Sequence, residues 1–86
     1  SKKGIINISV SNVNSFEDYK KIQKVIENLV GLRDIDISRF EIDTVFYKLG
    51  IYGDFDSIVK EISESNFLEI NSQYKDSSQI NISFVR

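Results

Sequence analysis

The segment Gly4-Ile5-Ile6-Asn7-Ile8-Ser9-Val10, followed closely by Ser15-Phe16-Glu17-Asp18-Tyr19, decides the fold class. Ile6, Ile8 and Val10 alternate with Asn7 and Ser9, the period-two mark of a strand with one buried face. Ser15 then stands where a helix needs its N-cap. Asp18 follows three residues later in an approximate capping box, and Glu17 and Asp18 suit the positive end of the helix dipole. From Phe16 to about Val30 the residues Tyr19, Ile22, Ile26 and Leu29 recur at helical steps, widened by Val25 and Val30, while Lys20, Lys21, Lys24 and Glu27 form the wet side. Gly31 fits the left-handed position that closes such a helix.

Beyond Gly31 the alternation resumes in Leu32-Arg33-Asp34-Ile35-Asp36-Ile37, and a change of phase near Ser38-Arg39-Phe40 predicts a bulge or the end of the strand. A third strand spans about Val45 to Tyr52. Lys48 and Gly50 are poor core residues, so Tyr47, Leu49 and Ile51 should point inward and Phe46, Lys48 and Tyr52 outward. Gly53-Asp54 signals a turn and a second helix start, and Phe55, Ile58, Val59 and Ile62 carry its apolar stripe to about Ser65. Two closing strands, Phe67–Tyr74 and Gln79–Val85, are joined by Lys75-Asp76-Ser77-Ser78 as a hairpin.

This order predicts an α+β, two-layer βαββαβ sandwich of the ferredoxin-like kind with a C-terminal β-hairpin: an antiparallel sheet carrying two helices on one face. The other face is left open and is the expected interaction surface. On the assigned phase it presents Asn7, Ser9, Asp34, Asp36, Phe46, Lys48 and Tyr52, with Glu69 and Asn71 if the hairpin is in register. Phe46, Lys48, Tyr52, Asp34 and Asp36 are the candidate interaction residues.

Eighty-six residues make one domain, with an expected stability of about 4–13 kcal/mol. The lead-in Ser1-Lys2-Lys3 and the lack of any methionine read as a domain cut from a longer protein. Eleven basic against 13 acidic residues, net charge −2, argue against a nucleic-acid partner. No run of 18 apolar residues offers a membrane span.

The chain has no His and no Cys, which removes the side chains most used for nucleophilic, acid–base and metal chemistry at neutral pH. Asp34-x-Asp36 puts two carboxylates on one side of a strand, and Asp54-x-Asp56 looks like the start of a calcium loop. The first reads as a solvated strand and the second as helix capping, because neither is followed by a full ligand set. Gly50-x-x-Gly53 is too short for a phosphate cradle. No Ser has a base to activate it. No cofactor, metal or catalytic residue is therefore expected.

The third strand lacks the glycine and aromatic run of RNA-recognition modules, and the loop Ser11-Asn12-Val13-Asn14 lacks the Cys pair of heavy-metal-associated domains. It also lacks the glycine-rich turn of ACT-type regulatory domains, which share the order of elements. Ile8-x-Val10, Ser15-Phe16-Glu17-Asp18-Tyr19, Val30-Gly31-Leu32-Arg33-Asp34-Ile35-Asp36-Ile37 and Tyr52-Gly53-Asp54 resemble the βαββαβ modules of uncharacterised bacterial envelope proteins. That resemblance implies a non-catalytic interaction or scaffolding domain of a larger, periplasmic or envelope-associated protein. Its expected partner is another protein or a neighbouring domain of the same chain. The alternative is an ACT-like domain that dimerises and senses a small molecule.

Overall fold

The computed structural model describes residues 3–86; the Ser1-Lys2 part of the solvated lead-in lies outside them. Five strands and two helices follow in the order β1 (Lys3–Ser11), α1 (Phe16–Glu27), β2 (Leu32–Glu41), β3 (Thr44–Tyr52), α2 (Phe55–Ser63), β4 (Leu68–Tyr74) and β5 (Gln79–Phe84). The strands form one sheet in the order β2-β3-β1-β5-β4.

Alternation places the core. Ile6, Ile8 and Val10 of β1, Val45, Tyr47, Leu49 and Ile51 of β3, and Ile80, Ile82 and Phe84 of β5 are buried in a single cluster. Ile22 and Ile26 of α1 and Ile58 and Ile62 of α2 complete it, so both helices cover the same side of the sheet. The intervening side chains Asn7, Lys48 and Tyr52 remain exposed on the other side.

The expectation of an antiparallel sheet fails at one pair. β1 runs antiparallel to β3 but parallel to β5, making the sheet mixed. The C-terminal hairpin folds back so that its second strand, not its first, lies against β1, and this reverses the direction of the docking strand. Packing accounts for the choice. β5 offers three fully buried residues in strict alternation, Ile80, Ile82 and Phe84, whereas β4 buries only Leu68 and half-buries Ile70. The strand with the stronger apolar face takes the interior position and leaves β4 at the edge.

α1 also ends earlier than its apolar stripe. Asn28 is the C-cap, with its side-chain amide donating to the Lys24 carbonyl at 2.7 Å. Leu29 is buried from the following turn, so the hydrophobic spacing outlasts the helix. Gly31 is left-handed, at φ +86°, but it sits in the turn beyond Asn28 rather than directly after the helix. β2, in turn, continues through the bulge between Ile37 and Arg39 and reaches Glu41.

Asp18 is the buried charged residue of α1. Ser15 caps the helix by accepting from the Asp18 N–H, and the Asp18 carboxylate accepts from the Asn14 N–H at 3.0 Å and pairs with Arg86. Asn12 reaches the Phe84 carbonyl at 3.0 Å, so the β1–α1 loop and the C-terminus are tied together at this point. Burial alone would raise the Asp18 carboxyl. The bonds from Asn14 and Ser15 and the charge of Arg86 outweigh it, and the group lies below its ordinary 3.8. A depressed folded value means stability that is present above the ordinary value and is lost as pH falls through the folded one. The melting temperature should accordingly drop below about pH 4, and Asp18→Asn should lower it at neutral pH and flatten that acid limb. A variant whose acid limb matches the parent's would remove Asp18 from this role.

Candidate functional site

The open face holds all the residues expected there, but their surroundings alter their chemistry. Phe46 is half-buried, with the Arg39 guanidinium 4.0 Å from its ring centroid. Tyr52 has Arg33 at 5.8 Å. Asp34 is paired with Arg33 at 3.0 Å, and both side chains lie across Gly50, where a Cβ would meet them at 2.5 and 2.6 Å. Asp36 stands opposite Lys48 in the register of β2 and β3. Phe46 therefore lies under an arginine, Tyr52 stays exposed with one beside it, Asp34 is ion-paired, and Asp36 has Lys48 opposite it in the register.

The rest of this face is a hydrogen-bonded polar surface. The Ser9 hydroxyl and the Gln79 amide both donate to the Asn81 side-chain oxygen at 2.8 Å, and the Asn81 amide donates to Ser72 at 2.9 Å. Asn71 donates to Ser83 at 2.7 Å, and the Ser83 and Ser11 hydroxyls lie 3.1 Å apart. Side chains that satisfy one another across three strands have little to gain from a partner.

Nor do the sheet edges invite one. The register shifts between Leu32 and Asp34 and between Ile37 and Arg39 lie in edge strand β2, and that between Ile70 and Ser72 lies in edge strand β4. Bulges on edge strands turn the unpaired backbone away from a regular ladder, a device against strand addition.

The surface that sequence reasoning missed is a corner on the helix side. Ile37 and Phe40 of β2, an edge strand, point to the same side as the core, yet they stay 47% and 55% exposed. With Val13, Phe16, Tyr19 and Ile42 they line a groove of about 540 Å³. Phe16 is 72% exposed and stacks on Tyr19, their centroids 6.2 Å apart.

Ile42 at the rim of the groove is 100% exposed and has φ +55°. It occupies the first position of the two-residue connection between Glu41 and Thr44, which face each other across the β2–β3 hairpin. A β-branched residue at positive φ is a conformational outlier in a place that glycine or asparagine would fill without strain. Such strain clusters at functional and switch positions, and packing of the fully exposed Ile42 side chain does not account for it. The Val13 N–H donates to the Asp43 carbonyl at 2.9 Å, fixing the knuckle to the β1–α1 loop. The signal available in the sequence was Glu41-Ile42-Asp43-Thr44 itself, an apolar residue isolated between acids where a turn was required.

Among the described residues, no group of three or more His, Cys, Asp or Glu is placed to hold a metal ion. No helix is long and apolar enough to cross a membrane among those residues. Comparison with protein-family models, curated proteins and solved structures returns no significant match. Function must consequently be argued from this geometry.

Proposed function

We propose that the chain is a non-catalytic protein-interaction domain that docks through the Ile42 knuckle and the Phe16–Phe40 groove, not through the open sheet face. The observation that carries the reading is a fully exposed isoleucine held at φ +55° beside an apolar groove. Four large apolar side chains at one corner expose on the order of 500 Å², near the upper end of the largest apolar patch on an ordinary monomer. Interface anchors are drawn from such clusters.

Two finer assignments belong to the same proposal. The β2-β3-β1 order and the two helices on one side support a ferredoxin-like sandwich enlarged by a hairpin. The setting as a non-catalytic accessory module of a larger envelope protein rests on the resemblance of the strand and helix-start residues alone. The small-molecule alternative has less support. Binding pockets carry a few converging polar groups, and the groove's polar residues are Asn14 and Ser15, the latter engaged in capping α1.

Ile42→Gly tests the reading in both directions. Relief of the left-handed strain should raise stability by about 1 kcal/mol, since no packed contact is lost. A photo-crosslinking residue at position 42 or 16 in the protein made in its own cell should give discrete protein adducts, and one at Lys48 or Asn7 should not. Loss of stability in Ile42→Gly, or adducts confined to the open face, would overturn it.

A further inference from the structure

We infer that the open sheet face carries a small-ligand site: a recess of about 210 Å³ walled by Arg39, Phe46, Asn7 and Gln79 that takes an uncharged, hydroxyl-rich ring, a single sugar residue. The protein-docking corner lies on the helix side of the sheet, and neither site depends on the other.

The bulge of β2 makes the recess. Asn7 and Gln79 are neighbours on β1 and β5, and Phe46 stands in the next row with Arg39 opposite it. Between these rows lie Ile8 and Tyr47, whose side chains are buried on the helix side, so the floor is backbone. The register shift between Ile37 and Arg39 adds Ser38 at this point and sets the Arg39 guanidinium against the Phe46 ring. Re-aiming a side chain in this way is what bulges beside binding sites do.

The polar groups here are not spent on one another. The side-chain bonds of the open face run from Ser9 and Gln79 through Asn81 to Ser72, and they pass Asn7 and Ser38 by. Gln79 donates its amide N–H to Asn81 and keeps its amide oxygen, and Arg39 uses its Nε toward Glu41 at 2.6 Å and keeps its terminal nitrogens. The recess therefore differs from the self-satisfied surface next to it. Its walls offer donors and acceptors together.

Charge, polarity and size then select the ligand. Glu41 neutralises Arg39, and Asp36 stands opposite Lys48 in the neighbouring row, so neither an anion nor a cation gains from net charge. An apolar ligand would strip water from Asn7 and Ser38 and return no hydrogen bond. Neutral hydroxyls answer both amides, the serine and the guanidinium edge, because each hydroxyl donates and accepts. Phe46 supplies the apolar patch for the C–H side of a ring. A recess of about 210 Å³ lies below the roughly 300–1,000 Å³ of drug-sized sites, which limits the ligand to one ring.

Titration of the isotopically labelled chain with glucose, galactose and N-acetylglucosamine, followed by NMR, tests the site. At least one sugar should give saturable shifts with a millimolar dissociation constant, confined to the side-chain amides of Asn7 and Gln79 and the backbone of Ser38, Arg39 and Phe46. Asn7→Ala should weaken binding about fivefold or more with unchanged circular dichroism, and Asn71→Ala, outside the recess, should not. If Asn7→Ala fails to fold, Ser38→Ala on the exposed bulge should show the loss instead. Methyl glycosides separate the sources: binding equal to the free sugar assigns a residue within a glycan, and loss assigns the free monosaccharide. Shifts that do not saturate with any sugar, or that spread over the whole chain, overturn the site. Tighter binding of acetate or inorganic phosphate than of every sugar, or an Asn7→Ala variant that is folded and binds as the parent does, overturns it equally.

Discussion

Gly31→Val should cost the domain about 3 kcal/mol, a large part of the 4–13 kcal/mol expected of about 86 residues. Two costs act together. At φ +86° an L side chain is strained whatever space surrounds it, and a β-branched one most of all. The space is also absent, since a Cβ on Gly31 would lie 2.5 Å from the Tyr52 carbonyl oxygen. That oxygen cannot rotate aside. It belongs to the last residue of β3, whose N–H donates back to the Gly31 carbonyl at 2.7 Å, so the two segments are clamped at their closest approach. Relief would require the turn to withdraw and break this bond. Gly31→Asn separates the contributions, because asparagine tolerates the left-handed region but still carries a Cβ. Urea denaturation should rank the parent first, Gly31→Asn second and Gly31→Val last. Equal midpoints for the parent and Gly31→Val would show that the turn relaxes freely.

Gly31 illustrates which parts of the fold were legible. Its need for positive φ could be read from a glycine that follows an apolar helical stripe, but its contact with Tyr52 depends on β2 and β3 being paired, which spacing alone does not show. The strand phases were readable because Lys48 and Gly50 share a parity that cannot face the core. Spacing within each strand does not set which hairpin strand lies inward, although Ile80, Ile82 and Phe84 hold the stronger alternation. The apolar stripe overruns α1 because Leu29 keeps the helical spacing after Asn28 has closed the helix.

The candidate site was legible in a different way. Residue parity correctly puts Phe46 and Tyr52 outside the core, yet it says nothing of what covers them. Arg39 follows the bulge at Ser38 and Arg33 lies within the shift between Leu32 and Asp34, and these irregularities bring Arg39 over Phe46 and Arg33 beside Tyr52. Conversely, Ile37 and Phe40 carry the pattern of core residues but lie on edge strand β2, where they stay exposed. An apolar side chain becomes a surface feature through its strand's place in the sheet, which periodicity within one strand does not encode. Ile42 breaks the turn rules outright, and such a violation is informative because local preference and observed geometry disagree there.

Tyr47→Phe should make the domain more stable by about 1–2 kcal/mol. Tyr47 is 1% exposed and sits in the middle of the core on β3, between Ile37 and Ile8 in the sheet register. Its ring is wanted there for volume, but its hydroxyl is buried without a hydrogen-bond partner among the described residues. An O–H taken from water and given nothing in return carries its full desolvation cost, and phenylalanine keeps the ring while removing the group. The same burial, followed by the proximity of Tyr19, pushes the Tyr47 phenol above its ordinary value of 10.0. For a group raised on folding, the associated stability is complete below the unfolded value and is lost as pH rises through the folded one. The parent should accordingly lose stability above about pH 10 as the unfolded chain gains the phenolate, and Tyr47→Phe should lack that part of the alkaline loss. Denaturation at pH 7 and again above pH 10 measures both effects on one pair of proteins. A less stable Tyr47→Phe at neutral pH would mean that the hydroxyl makes a favourable interaction in the folded protein, and an unchanged alkaline limb would remove its ionisation from the balance.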